Sequence, residues 1–318
     1  AVAVSLGGPG AVFWMVFIAF FSMSAKFVSA TLGQLYRKIN NDGSVSGGPM
    51  YYLSQGLAEK GYIKFGKVLA VIYAIFIIGG AFGGGNMFQA NQSYELFGKL
   101  IDSKLIILSE FSGLSNYGIT LGLPNYLYGI LLAALVGIVI VGGIKRIGET
   151  TEKIVPLMVV LYVAASLFVI LTNVSKLPDV LYSIMNQAFS PDAAYGGFIG
   201  ALVTGVKRSV FSNEGGVGSA SIAHSAAKTD EPVREGIVAM IGPFIDTIVV
   251  CFMTASVILI TADLNPLYKV GGGINGAELT SAAFGTSISW FPYILSIVVF
   301  LFSFSTMISW YYYGDKGW

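Results

Sequence analysis

The sequence predicts an all-α, polytopic membrane helical bundle, and three observations predict it. Hydrophobic residues make up 55% of the 318 and charged residues 11%, with a mean hydropathy of +0.74. Soluble globular domains carry roughly 25% charged residues. The apolar residues form continuous runs of about 20 or more, enough to cross a hydrocarbon core as a helix, and not the alternating segments of a barrel. About half of the 40 glycines fall within those runs, where they suit close helix packing and helix interruption.

Seven stretches qualify as spans: about 11–36 (α2), 67–97 (α3), 121–144 (α4), 152–173 (α5), 196–226 (α6), 236–262 (α7) and 287–313 (α8). The apolar remnant 1–7 reads as the end of an earlier helix, α1. The whole of 1–318 is then one transmembrane domain, and its ends mark it as a fragment of a longer protein. It lacks an initiator methionine and stops at "YYYGDKGW", just past a span.

Lysine and arginine orient the bundle through the positive-inside rule. One side holds Arg37, Lys38, Lys60, Lys64, Lys67, Lys145, Arg146, Lys153, Lys228, Arg234 and Lys316; the other holds Lys99, Lys104, Lys176 and Lys269. The loops 37–66, 145–153 and 227–235 are therefore expected in the cytoplasm of a multi-pass plasma-membrane protein. A net charge of +1 shows no nucleic-acid footprint. A single histidine disfavours a His-based metal site, and a single cysteine, Cys251, allows no internal disulfide. No Ser/His, paired-Asp or HExxH arrangement stands at a workable spacing, so no enzyme is expected.

The most informative stretch is "FSNEGGVGSASIAHSAAKTDEPVREG", residues 211–236. Glycine costs about 1 kcal/mol per helix position relative to alanine. Gly215, Gly216 and Gly218 beside Asn213 predict an unwound stretch inside α6. Unwound backbone at membrane depth must line a cavity or be bonded within the protein. It exposes carbonyls for a cation and N–H groups for a carboxylate. The plainer alternative is that the glycines only permit close packing.

On α3, Phe82, Asn86, Gln89 and Ser93 share one predicted helical face, facing protein or water. On α8, Phe302, Ser305, Thr306, Ser309 and Trp310 are predicted to share another. The hydroxyls of Ser305 and Thr306 are oxygen ligands of the kind a hard cation takes. Trp310 walls a pocket or joins an interfacial aromatic belt, and Tyr311 to Tyr313 read as belt. Lys26 and Asp246 each lie about 10 residues from a cytoplasmic helix end, roughly 15 Å deep, and Glu214 lies at similar depth. An isolated charge there costs at least about 2.5 kcal/mol. Lys26 is therefore expected to pair with Asp246 or Glu214, as a structural brace or a gating pair. His224 reads as a hydrated helix-end residue, with a proton relay as the alternative.

Taken in order, "LGGPGAVFWM", "GGPMYYL", "GNMFQAN", "GGIKRIG", the 211–236 string, "FIDTIVVC" and "FSTMISWYYYG" resemble the alanine or glycine:cation (sodium) symporter family over nearly the whole chain. The resemblance implies a LeuT-type fold, with two inverted five-helix repeats whose first helices are broken, here truncated at both ends. It implies a substrate pocket at Gln89, Phe211, Asn213, Gly215, Thr306 and Trp310, with sodium at Ser305 and Thr306. It also implies carboxylate-binding residues that would precede Ala1. One departure is Ser29, where the family commonly has a glutamate. The stretch 98–118 is longer than usual and is expected to cap the outer vestibule or meet a partner.

The function implied is sodium-coupled symport of alanine or glycine by alternating access. The partners are the amino acid, the co-transported sodium ion and the lipid bilayer, and the protein is expected to work as a monomer. A proton-coupled amino-acid transporter and a non-transporting amino-acid sensor are the alternatives.

Overall fold

The computed structural model describes residues 1–41, 43–111, 124–190, 197–265, 268 and 276–318, the side chains of 106–111 excepted. These residues are overwhelmingly helical. Five helices among them are long and apolar enough to cross a membrane: α2 (Gly10–Leu35), α3 (Ile63–Leu105), α5 (Gly143–Thr172), α7 (Pro232–Ile260) and α8 (Phe291–Gly317). α4 (Asn125–Ile140) is a shorter apolar helix. α1 covers Val2–Gly7, and α6 comes in two pieces, α6a (Gly197–Asn213) and α6b (Ala220–His224).

The stretch 37–66 is not a plain loop. It holds a two-strand hairpin, β1 (Lys38–Ile39) with β2 (Val45–Ser46), followed by a helix at Pro49–Glu59. The stretch 145–153 is not a loop either. Gly142 and Gly143 make the turn, with Gly143 at φ 66°, and Lys145, Arg146 and Lys153 lie in the first turns of α5. Two further helices among the described residues escaped the hydropathy reading, Leu177–Phe189 and Gly276–Ser287. The first carries its own signals: a proline at its start, Asp179 in its first turn, and buried Val180, Ile184 and Ala188 at four-residue spacing. The part of 98–118 beyond Phe111 lies outside the described residues, as does Lys269.

Among the described residues, three segments wind as π-helix: Ala81–Met87 and Tyr94–Gly98 in α3, and Phe244–Cys251 in α7. The last follows Pro243, which has no N–H to donate and crowds the preceding turn.

The helices sort into two groups. α2 packs along α6a, α6b and α7, and α1 packs on α6a and α2. α8 packs along α3, α4 and α5. The first group is drawn tight at Gly236, where a Cβ would stand 2.1 Å from Thr31 Oγ1. The second group encloses a core of Tyr128, Leu132, Val136, Met307, Ile308, Tyr312 and Tyr313. Tyr312 and Tyr313 are thus core residues, not belt residues, because the face of α8 that carries them turns toward α6b and the hairpin. The Tyr312 hydroxyl reaches the Val45 carbonyl at 3.4 Å.

Candidate functional site

α6 is interrupted from Glu214 to Ser219. Glu214 adopts the left-handed conformation at φ 55°, and Gly216 and Gly218 follow at 82° and 85°. A non-glycine residue held there costs on the order of 1–3 kcal/mol, so its surroundings must enforce it. They do so through Asn213, which is almost fully buried. Its Nδ2 donates to Ser209 Oγ and to Thr247 Oγ1, each at 3.1 Å, and its Oδ1 accepts from the Gly215 N–H at 2.8 Å. A Cβ at Gly215 would lie 2.3 Å from that of Ser22. Asn213 and Gly215, read from the resemblance as pocket residues, hold the break in shape and are not among the residues that line the cavity between the two helix groups.

That cavity, of about 770 Å³, lies between the two helix groups. Gly80, Gly84 and Gln89 line it from α3, Phe211 and Glu214 from α6a and the break, Asp246 from α7, and Phe302, Thr306 and Trp310 from α8. Of the residues singled out in the sequence, Gln89, Phe211, Thr306, Trp310, Glu214 and Asp246 come together here. Phe211 stacks edge-on against Phe88, with ring centroids 5.4 Å apart. Trp310 leans on α3 where glycines leave room; a Cβ at Gly85 would meet that of Trp310 at 2.4 Å.

The predicted polar face of α3 does not form. Phe82 is 68% exposed, while Ser93 is fully buried and bonded to the Tyr128 hydroxyl at 2.5 Å. The π-helical winding of Ala81–Met87 advances the register, so the cavity wall reads Gly80, Gly84, Gln89 at spacings of four and five. The amides of Asn86 and Gln89 each reach back five residues, to Ala81 O at 2.7 Å and Gly84 O at 3.3 Å. On α8, Phe302, Thr306 and Trp310 face the cavity, whereas Ser305 is buried on the adjacent side. Both hydroxyls donate to the Phe302 carbonyl at 2.9 Å, which leaves their oxygen lone pairs as acceptors for a cation.

The expected ion pair is also redrawn. Among the described residues Lys26 makes no ion pair. Its Nζ donates to the Asn213 carbonyl at 3.1 Å. The break gives the physical reason: the last carbonyls of α6a have no helical N–H partner and carry the negative end of the helix dipole. The carboxylates are held by hydroxyls instead, Asp246 by Ser212 Oγ at 2.5 Å and Glu214 by Ser219 Oγ at 2.7 Å. Lys26, Glu214 and Asp246 still share a smaller cavity of about 240 Å³ with His224 and Tyr313.

His224 is not a simply hydrated residue: its Nδ1 lies 2.5 Å from Glu235 Oε1. Beside it, Gln34 donates to the His224 carbonyl, and Arg37 donates to the carbonyls of Ser225 and Ala227 at 3.1 and 2.6 Å. Sequence reasoning missed this clamp and the Ser212–Asp246 bond. Glu235, eleven residues after His224 and in the first turn of α7, was the available signal for the former.

An α-helical membrane protein with a largely apolar cavity that gathers a few polar groups at a broken helix, set between two packed helix groups, has the architecture of a solute transporter. The profile of the sodium:alanine symporter family matches residues 1–318, and the chain belongs to that family. It is 40% identical over 320 residues to the sodium/alanine symporter AgcS of Methanococcus maripaludis, covering 99% of this chain and 64% of that protein. It is 36% identical over 317 residues to a Bacillus subtilis protein named "Probable sodium/glutamine symporter GlnT", covering 99% and 59%. It is 34% identical over 317 residues to the amino-acid carrier protein AlsT of the same organism, covering 99% and 61%. The chain thus spans less than two thirds of the length of these relatives. They are prokaryotic transport proteins, and the chain is a multi-pass cell-membrane protein.

Proposed function

We propose that this chain carries the binding core of a sodium-coupled symporter for a small neutral amino acid, alanine or glycine. The observation that carries the reading is the cavity at the α6 break, where aromatic walls and a few polar groups converge from helices of both groups. Phe211 and Trp310 bound the side-chain end of the substrate, and Gln89 offers an amide. The Thr306 hydroxyl, with Ser305 behind it, offers oxygen to sodium. The α1–α2–α6–α7 group rocks against the α3–α4–α5–α8 group, with the cytoplasmic side at the α2–α3, α4–α5 and α6–α7 connections. The name of AgcS supports alanine and sodium, while that of GlnT names glutamine as the amino acid. The transporter is expected to act as a monomer.

Coupling requires that sodium and amino acid each raise the other's affinity by the same factor, typically about 5- to 150-fold. Equilibrium binding of labelled alanine to the purified full-length protein, in sodium and in potassium, tests this. The expected result is binding that strengthens with sodium. Equal binding in both salts would contradict sodium coupling, and sodium-dependent binding with no flux in liposomes would favour the sensor reading.

A further inference from the structure

A groove of about 510 Å³ also runs up to the break in α6. Val28 and Leu32 line it from α2, Leu53 from the helix Pro49–Glu59, Tyr73 from α3, and Gly216 and Val217 from the break itself. Val217 lines the candidate substrate cavity as well, so one residue of the break is wall to both. Along α2 the groove extends from Leu32 to Ser24, eight residues or about 12 Å. That fits within one leaflet, half of a hydrocarbon core about 30 Å thick. Its surface is largely apolar, because the hydroxyls are turned inward. The Tyr73 hydroxyl is buried, 3.4 Å from where a Cβ at Gly218 would stand, and the Tyr52 hydroxyl meets Ser29 Oγ at 3.5 Å. The faces beside the groove are exposed and apolar too: Val28 and Leu35 on α2, Val68 and Ile72 on α3.

We propose that this groove seats an acyl chain of an anionic phospholipid of the cytoplasmic leaflet, that Lys60, Lys64 and Lys67 hold its headgroup, and that the seated chain strengthens amino-acid binding through Val217. The coupling rests on the transport reading above; the seating of the lipid does not. An apolar groove at membrane depth selects an acyl chain, and the charge at its cytoplasmic end selects the headgroup. Lys60 closes the helix whose Leu53 lines the groove, and Lys64 and Lys67 stand in the first two turns of α3. All three are exposed, and among the described residues none of them forms an ion pair. The nearby carboxylate of Glu59 accepts from the Tyr36 hydroxyl at 2.7 Å. Lys38, just past the end of α2, adds a fourth exposed cation. Clusters of this kind beside a span are drawn to the negative surface of the cytoplasmic leaflet.

The break is built to feel such a chain. Gly216 and Gly218 flank Val217 at φ 82° and 85°, and a Cβ at Gly216 would meet nothing within 4 Å. The segment thus has little of its own packing on the groove side, and an acyl chain there supplies it. A chain lying against Val217 holds the break in the shape that presents Phe211 and Glu214 to the substrate cavity. By reciprocity, amino acid bound in that cavity must strengthen retention of the lipid by the same factor.

The test uses the full-length protein in vesicles of phosphatidylcholine, alone or mixed with phosphatidylglycerol. Alanine binding in sodium is measured in both, and phosphatidylglycerol retained after extraction is counted by native mass spectrometry. The expected result is retained phosphatidylglycerol and an alanine affinity about fivefold or more higher in the mixed vesicles, the low end of the usual coupling range. Each of Lys60→Gln, Lys64→Gln and Lys67→Gln should weaken retention about fivefold, the weight of one basic residue at an anionic surface. Val28→Trp, at a half-exposed position, should fill the groove and abolish the gain in alanine affinity. The double variant Lys145→Gln with Lys153→Gln removes exposed lysines at the start of α5 and should keep retention and gain intact. No retention by the wild type, an arm that needs no substitution, overturns the proposal and shows that another part of the chain covers the groove. A gain that survives Val28→Trp and the three lysine variants together overturns it as well, as an effect of surface charge alone. Retention without any gain overturns the coupling through Val217. Retained lipid with no alanine binding in either vesicle overturns the site reading and the coupling with it.

Discussion

Lys26 on α2 donates to the backbone carbonyl of Asn213, 187 residues away, at 3.1 Å. The carbonyl is free because α6a ends there. A charge that hydropathy treats as a liability is therefore a cap on a broken helix, placed between two carboxylates that use hydroxyl donors.

Lys26→Met should lower stability by about 1–3 kcal/mol, the cost of leaving a buried acceptor unsatisfied. Thermal unfolding of the full-length protein in detergent reads this as a lower midpoint. The double exchange Lys26→Asp with Asp246→Lys should not restore it, since the partner is a carbonyl. Restoration by the exchange would reinstate the direct ion pair.

Gly85→Ala forces a Cβ to within 2.4 Å of that of Trp310. Overpacking of this kind costs about 1–3 kcal/mol. Gly83→Ala, with nothing within 4 Å of the added Cβ, should be neutral or stabilise by up to about 1 kcal/mol. Comparing the two unfolding midpoints checks whether the α3–α8 contact, and not helix propensity, is responsible.

Gly84→Ala brings a Cβ to 3.2 Å from the Phe211 ring and narrows the cavity. Rejecting one methyl is worth about 1–3 kcal/mol. Competition binding should show alanine affinity falling roughly tenfold or more, with glycine less affected. An equal loss for both would place the side-chain end of the substrate elsewhere.

Thr306→Val removes the hydroxyl on the cavity face while keeping the shape. The sodium concentration for half-maximal alanine binding should rise by about tenfold, within the usual range of such coupling. Ser305→Ala should raise it less, since Ser305 sits behind the cavity wall. A titration unchanged in both variants would remove α8 from the sodium site.

Much of this site was legible in the sequence. The string Asn213 to Gly218 signals the break through its glycines, spacing on α8 puts Phe302, Thr306 and Trp310 on one face, and Phe211 comes only with the family resemblance. The errors have separate physical sources. Hydropathy and a 3.6-residue period contain no information about π-helical winding, so the α3 face was drawn through Phe82 and Ser93 when the real wall runs through Gly80, Gly84 and Gln89. Likewise, a polar side chain in a span reads the same whether it meets a ligand or its own backbone. Asn213 meets the Gly215 N–H and the hydroxyls of Ser209 and Thr247, and only the folded structure distinguishes this from a ligand contact. The helix Leu177–Phe189 was lost because its single buried stripe is too dilute for a span-length window.

The most direct measurement is labelled alanine uptake into liposomes containing the full-length transporter, with inward sodium, inward potassium, and sodium plus a protonophore. Uptake driven by the sodium gradient, absent in potassium and persisting with the protonophore, is the predicted result. Uptake indifferent to sodium and abolished by the protonophore would contradict it, and would make the proton the driving ion.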